Sequence, residues 1–390
     1  MPIRLLVLAI LVVTASTQAV FLLGAAFVQM GPEFGYGPRG LGLLTGLFFL
    51  TSAATSAPFG RVVARIGWRS AMRLNAVASG LLLLSIGLAA RNLATLVALL
   101  VASAAVYGIA NPAANQALAD LGDPRRRALL FGLKHAGIPS STLLAGLAVP
   151  AVVVTAGWRT AYVAASLVAV VVLVLVPRTL PAPHPSEALP AGRALTVREL
   201  LAMAAGSAFA TWGPIALSTF LVAAAVEQGF SPSAAGLLLF VGSGTSIAAR
   251  VVAGEATDRL GGRGFAGMAT MAGVGAVVFL TLPPASGAAF AVLIVVAFAT
   301  GWGWPGLMTF AVVNANAGTV AASSSITQAG VFVGAGVGPL LLGAIVGSFG
   351  FDAAWLVASG GLAASAAGVA TVGVRTRHLP DPTARVHHVD

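Results

Sequence analysis

Three ionisable side chains, Arg250, Lys134 and His135, fall inside long apolar stretches of this 390-residue chain. A charge placed there is costly unless it faces protein or water. Arg250 stands four residues before Gly254, about one turn above a polar loop. From there it can snorkel to the interface, brace a gate, or point inward and bind an anion. Lys134 is the single lysine beside twenty arginines, and it adjoins His135. The lysine is long enough to reach the interface, and the histidine can serve packing or carry a proton near neutral pH. Glu33 and Glu227 lie at outer ends of apolar stretches, and Asp120 and Glu255 at inner ends. No carboxylate therefore stands near the middle of an apolar stretch. Polar and aromatic residues recur near mid-depth: Thr14 with Gln18, the stripe Tyr107, Asn111 and Asn115, Trp212 with Thr219, and Thr300 with Trp304 and Met308. Amides on one side and indoles on the other would make an asymmetric pocket with hydrogen-bonding and stacking walls. Helix–helix hydrogen bonding is the plainer use of each residue taken singly.

These residues must be positioned by membrane helices. Hydrophobic residues make up 58% of the chain and charged ones 8%, too little polar material to coat a soluble globule of this size. A hydrocarbon core of about 30 Å needs roughly 20 apolar residues as helix. On that ruler twelve spans fit: 5–30, 40–63, 72–90, 93–119, 128–155 and 158–177, then 197–227, 232–253, 265–283, 287–313, 321–348 and 351–374. Residues 1–30 are read as a span rather than a cleaved signal, because the apolar run continues and its counterpart at 197–227 is internal. Of 21 basic residues, sixteen fall on the side of the N-terminus and three, Arg39, Arg91 and Arg159, on the other. Positive-inside bias then places both termini in the cytoplasm. The net charge of +10 thus sets topology, and no nucleic-acid partner is expected. With no cysteine, thiol-ligated metal chemistry is excluded. No cofactor or metal is expected.

The loop Gly254–Arg263 has an echo 194 residues earlier, at Gly60–Arg69. Phe34–Leu44 matches Gln228–Leu238 at the same offset, and His135-Ala136-Gly137 matches Gln328-Ala329-Gly330 at 193. The chain is a parallel duplication of six spans. The halves are 1–177 and 197–374, with a cytoplasmic linker at 178–196 and a cytoplasmic tail at 375–390. Gly254, Asp258, Arg259, Gly261 and Arg263 complete the pattern Gly-x-x-x-Asp-Arg-x-Gly-x-Arg. In the first copy Gly60, Arg65, Gly67 and Arg69 recur, but Ala64 replaces the acid. Nearly the whole chain thereby resembles the major facilitator superfamily of secondary transporters.

That resemblance implies an all-α membrane protein with twelve transmembrane helices in two pseudo-symmetric six-helix bundles. It also implies a cavity lined by spans one, four, seven and ten, and a cytoplasmic gate braced by the loop residues. Gly137, Pro139, Gly146 and Pro150, matched by the glycines and Pro339 of span eleven, look like the glycine-proline motif of antiporter members, with packing as the simpler role. Arg250-Val251-Val252-Ala253-Gly254 looks like the Arg-x-x-x-Gly of monocarboxylate-type members, whose arginine binds the substrate carboxylate, although Ser246 stands where those members have an acid. The expected activity is secondary active transport of a small organic solute, anionic or neutral, by alternating access. A coupled proton, efflux of drugs or metabolites, and a non-transporting receptor on the same scaffold stay open. Catalysis finds no nucleophile–base constellation. A monomer in a bacterial inner membrane is expected, with the lipid bilayer and the solute as partners.

Overall fold

The structure, a computed structural model, describes residues 2–118, 127–177, 194–259, 264–316 and 320–376. Regular structure among them is helical throughout. The first half comprises α1 (Pro2–Ala25), α2 (Phe27–Phe34), α3 (Pro38–Ala89), α4 (Leu93–Leu118), α5 (Arg127–Lys134), α6 (Gly137–Ala148), a π-helical turn (Val149–Val153) and α7 (Val154–Leu175). The second comprises α8 (Val197–Glu227), α9 (Pro232–Arg259), α10 (Gly264–Leu280), α11 (Gly287–Trp302), α12 (Pro305–Ala315) and α13 (Val320–Thr376). Most of the linker, most of the tail, and Gly261 and Arg263 lie outside the described residues.

Among the described residues, eight helical stretches are long and apolar enough to cross a membrane. Three of them contain a glycine of positive φ: Gly67 at 77°, Gly157 at 85° and Gly350 at 80°. Only glycine takes that conformation readily, so the helix ends there and the chain turns back. Divided at these glycines, and with the shorter apolar Gly264–Leu280 added, the segments overlap the twelve expected spans, the fifth of them starting at Gly137 rather than at 128. The Arg4 Nε donates to the Leu175 carbonyl at 3.2 Å, and Arg69 donates to the Pro177 carbonyl at 2.7 and 3.0 Å. These bonds gather the N-terminus, the Gly67 turn and the approach to the linker on one face, here called the linker face.

Local chemistry explains the helix breaks. Thr196 and Glu199 form a capping box that starts α8. The fifth span is not one rod. It pauses at His135 and Ala136, between α5 and α6, and then widens into the π turn around Pro150. A proline cannot donate the usual helical bond, and the ladder shifts to accommodate it. Glycines let other helices close on α1 and α8: an added Cβ at Gly137 would meet the Val13 Cβ of α1 at 2.6 Å, and one at Gly334 the Ala208 Cα of α8 at 2.8 Å. Of their most apolar stretches, 78% and 83% is buried inside the protein, against 33% for Gly137–Leu175. A side chain at Gly24 of α1 would meet the Thr219 carbonyl of α8 at 2.5 Å.

Two seams join the halves away from the linker face, and the repeat relates them. On one, Gly42 of α3 packs against the Pro339 carbonyl and, at 2.9 Å for an added Cβ, the Gly343 Cα of α13. On the other, Gly236 of α9 sits at 2.8 Å from the Gly146 carbonyl and 2.5 Å from the Val149 Cβ on the same measure. Backbones approach this closely because dispersion and weak polar contacts, rather than hydrophobic exclusion, hold helices together in lipid.

Candidate solute site and linker-face latch

The inner face of α9 is built by spacing alone. Its buried residues include Ser243, Ser246, Arg250, Gly254 and Thr257, each three or four positions from the next, so they form one stripe. Arg250 is only 2% exposed, which removes snorkelling. Its Nη1 donates to the His135 backbone carbonyl at the α5–α6 break. Its guanidinium carbon lies 5.6 Å from the centroid of the Trp302 ring, within cation–π range. Trp302 is itself fixed, because its indole N–H donates to the Pro214 carbonyl at 3.0 Å and the Ser218 hydroxyl at 3.1 Å.

The remaining two nitrogens of Arg250, Nε and Nη2, are buried without a hydrogen-bond partner. They form the side-on edge of the guanidinium, which matches the two oxygens of a carboxylate. One turn away, the Ser246 hydroxyl is also buried and unpartnered. Many buried hydroxyls here bond the carbonyl four residues back, as Ser16, Ser52, Ser207 and Ser218 do. Ser246, four positions before Arg250 in α9, departs from that habit, as Thr45, Ser141 and Ser365 do elsewhere. An unsatisfied buried donor costs roughly 1–3 kcal/mol, and more when it is charged. Arg250 Nε and Nη2 and the Ser246 hydroxyl thus leave α9 with unsatisfied buried polar atoms one turn apart.

The expected cavity residues do not gather in one open chamber. Thr14 donates to the Gly137 carbonyl at 3.1 Å, and Gln18 to the Ser141 carbonyl at 3.3 Å, so both tie α1 to α6. Thr219 bonds the Ile215 carbonyl of its own helix, and Thr300 bonds that of Val296 and faces Gly275 of α10. The Met308 sulfur accepts from Ser207. In an apolar interior a hydroxyl or amide takes the nearest carbonyl, which explains the difference from expectation. Asn111 donates to the Tyr107 hydroxyl at 3.1 Å, and the Tyr107 ring reaches Phe332 of the other half at 6.4 Å. Asn115 is exposed near the linker-face end of α4. Trp304 is fully buried and Trp212 half-buried, and both indole nitrogens lack partners. The cavities of about 500 and 230 Å³ open on the opposite face, beside Glu227, and touch none of these residues.

The residues expected at the gate separate into two behaviours. Asp258 accepts a hydrogen bond at 3.1 Å from the backbone N–H of Leu129, in the first turn of α5 in the other half. Arg259 turns to Glu255 of its own helix at 2.9 Å, rather than to Asp258. Gly254 is buried in the α9 stripe. In the first copy, Arg69 ties α3 to the end of α7, Arg65 is exposed, Gly60 lies near Pro112, and Gly67 makes the turn. Lys134, half-buried, closes the last turn of α5, and the His135 Nε2 lies 3.0 Å from the Thr309 hydroxyl of α12. Leu129, Trp302 and Thr309 were not singled out from sequence, and Ser246 was noted only as standing where monocarboxylate-type members have an acid. The serine was legible as part of the Ser243–Ser246–Arg250 stripe, whereas a backbone amide carries no side-chain signal.

Residues 8–328 match the family model described as Major Facilitator Superfamily. This chain belongs to the Major Facilitator Superfamily. Among solved structures it is similar to a bacterial homologue of the human lysosomal transporter Spinster, in an inward-facing and unoccupied conformation. That likeness has a TM-score of 0.64 and 16% identity, and covers 96% of this chain and 95% of the other. None of the curated proteins matches the sequence. Superfamily membership makes this a multi-pass, non-enzymatic membrane protein that transports a small molecule as a secondary transporter.

Proposed function

We propose that this superfamily member carries a small organic anion, a carboxylate, by alternating access between halves 1–177 and 197–374. The observation that supports this reading is the open Nε–Nη2 edge of Arg250, buried between the halves. Trp302 beneath the guanidinium and Ser246 one turn away would take the rest of the solute. On the same reading, the linker face with its basic loops is cytoplasmic, the twelve crossings lie in the inner membrane, and the transporter works as a monomer. Asp258 then belongs to the cytoplasmic gate, while Lys134 and His135 flank it.

The test is uptake into proteoliposomes of acetate and benzoate, with benzamide and benzylamine as neutral and cationic controls of similar shape. Carboxylates should be favoured, and Arg250→Ala should lose at least about 30-fold in apparent affinity while inserting normally, the scale for truncating one member of a buried charge pair. Arg250→Lys should recover only part of it, because an ammonium cannot offer a planar fork. Equal transport of benzamide and benzoate would remove the carboxylate, and unchanged uptake by Arg250→Ala would remove Arg250.

A further inference from the structure

Three polar contacts between the halves converge on one short piece of chain. α5 is eight residues long and set off from α6 by the break at His135 and Ala136. At its start, the Leu129 N–H is held by Asp258; just past its end, the His135 carbonyl is held by Arg250. Both holding side chains belong to α9 and are eight residues apart, roughly 12 Å along the helix. A helix carries partial positive charge at its N-terminus and partial negative charge at its C-terminus. An acid at the first and a guanidinium at the second therefore complement α5 at both ends. The third contact, between His135 and Thr309, adds α12. Gly132, in the middle, packs at 2.9 Å, for an added Cβ, from the Arg250 carbonyl.

This grip shares a group with the solute site. Nη1 of Arg250 faces His135 while Nε and Nη2 are open, so a bound carboxylate and the α5 tie occupy different edges of one rigid plane. They do not compete. Each fixes the orientation that the other needs, and two such events must favour each other by the same factor.

We propose that α5 is a clip that α9 holds by both ends and that a carboxylate on Arg250 tightens it, making Asp258 a positioning residue for a site two helical turns away. The coupling rests on the carboxylate reading given above; the two-ended clip does not. Solute would then close this side of the linker face on binding, and opening it would return Arg250 to water and let the solute go.

Hydrogen exchange of amides 129–136 in the full chain, in lipid nanodiscs, separates the two. Without solute, Asp258→Asn and Arg250→Ala should each speed exchange along the whole of α5. Benzoate should slow that exchange in the parent, and Asp258→Asn should weaken benzoate binding by about three- to tenfold, the scale of one charge–dipole contact. Asp258→Glu should restore most of the affinity, which a general loss of folding would not allow. Exchange that stays unchanged in Asp258→Asn overturns the clip. Faster exchange with benzoate, or benzoate binding indifferent to Asp258, overturns the coupling. If the parent ignores benzoate while both variants still loosen α5, the clip stands, and the carboxylate reading and the coupling fall.

Discussion

The two seams between the halves descend from one duplicated arrangement, yet only one carries a charged latch in the described contacts. On the face away from the linker they remain equivalent: Gly42 on Pro339 repeats Gly236 on Gly146. Toward the linker they part. α9 offers Arg250 and Asp258 to α5, whereas the corresponding positions of α3 are Ser56 and Ala64. α3 is exposed at Ala57, Pro58, Arg61, Val62, Ala64, Arg65 and Ile66, more than one face of a helix. Close glycine packing serves both seams because it needs only absence of bulk. A latch needs a specific charge opposite a specific helix end, and a single substitution removes it.

The largest effect should come from attacking what the seams share. Gly42→Leu and Gly236→Leu each drive a side chain into the backbone of the other half, and overpacking of this kind costs about 1–3 kcal/mol or more. Spin-label distances across the face away from the linker should lengthen in both variants. A shift in one alone would show that the seams are not equivalent even there. A smaller effect should come from building the missing latch. Ala64→Asp would place a carboxylate where the repeat aligns it with the start of α13, a gain of about 0.3–1 kcal/mol. It should slow turnover and shorten distances across the linker face, and faster turnover would sink the comparison.

The smallest effect concerns the opposite face, where the asymmetry runs the other way. Glu33 pairs with Arg159 at 2.6 Å and accepts from the Trp158 indole at 2.7 Å; the repeat puts Glu227 and Asp352 at the corresponding positions. The Arg159 hydrogen bond holds the Glu33 carboxyl below the usual carboxylate range, against a desolvation that pushes it up. With the folded value depressed, the stabilisation is complete above the unfolded value of about 4.3 and is lost as pH falls through the lower folded one. Both groups are part-exposed, so screening keeps the contribution small. Melting of Glu33→Gln should match the parent at low pH and fall slightly below it at neutral pH. A constant offset at every pH would mean that the pair contributes packing rather than charge.

How far the sequence reaches can be seen at particular residues. The spans were legible because hydrocarbon demands long apolar helices, and Gly157 and Gly350 were legible as turns through their shared repeat position. Arg250 was legible as unusual, but its three possible uses could not be separated, because they differ only in where the guanidinium points. Thr14 and Gln18 were legible as polar residues at depth, and not as ties to α6, since the α6 carbonyls they reach are more than a hundred positions away; Thr14 also bonds the Ile10 carbonyl of its own helix.

By itself, then, the sequence determined the membrane, the duplication and the loss of the acid at Ala64, because each is a matter of composition or register. The tertiary structure alone decided that Asp258 meets the N–H of Leu129 and that Arg250 meets the carbonyl of His135. Both partners are main-chain groups, which every residue possesses. What selects them is the break that ends α5 and the packing that lays α9 beside it.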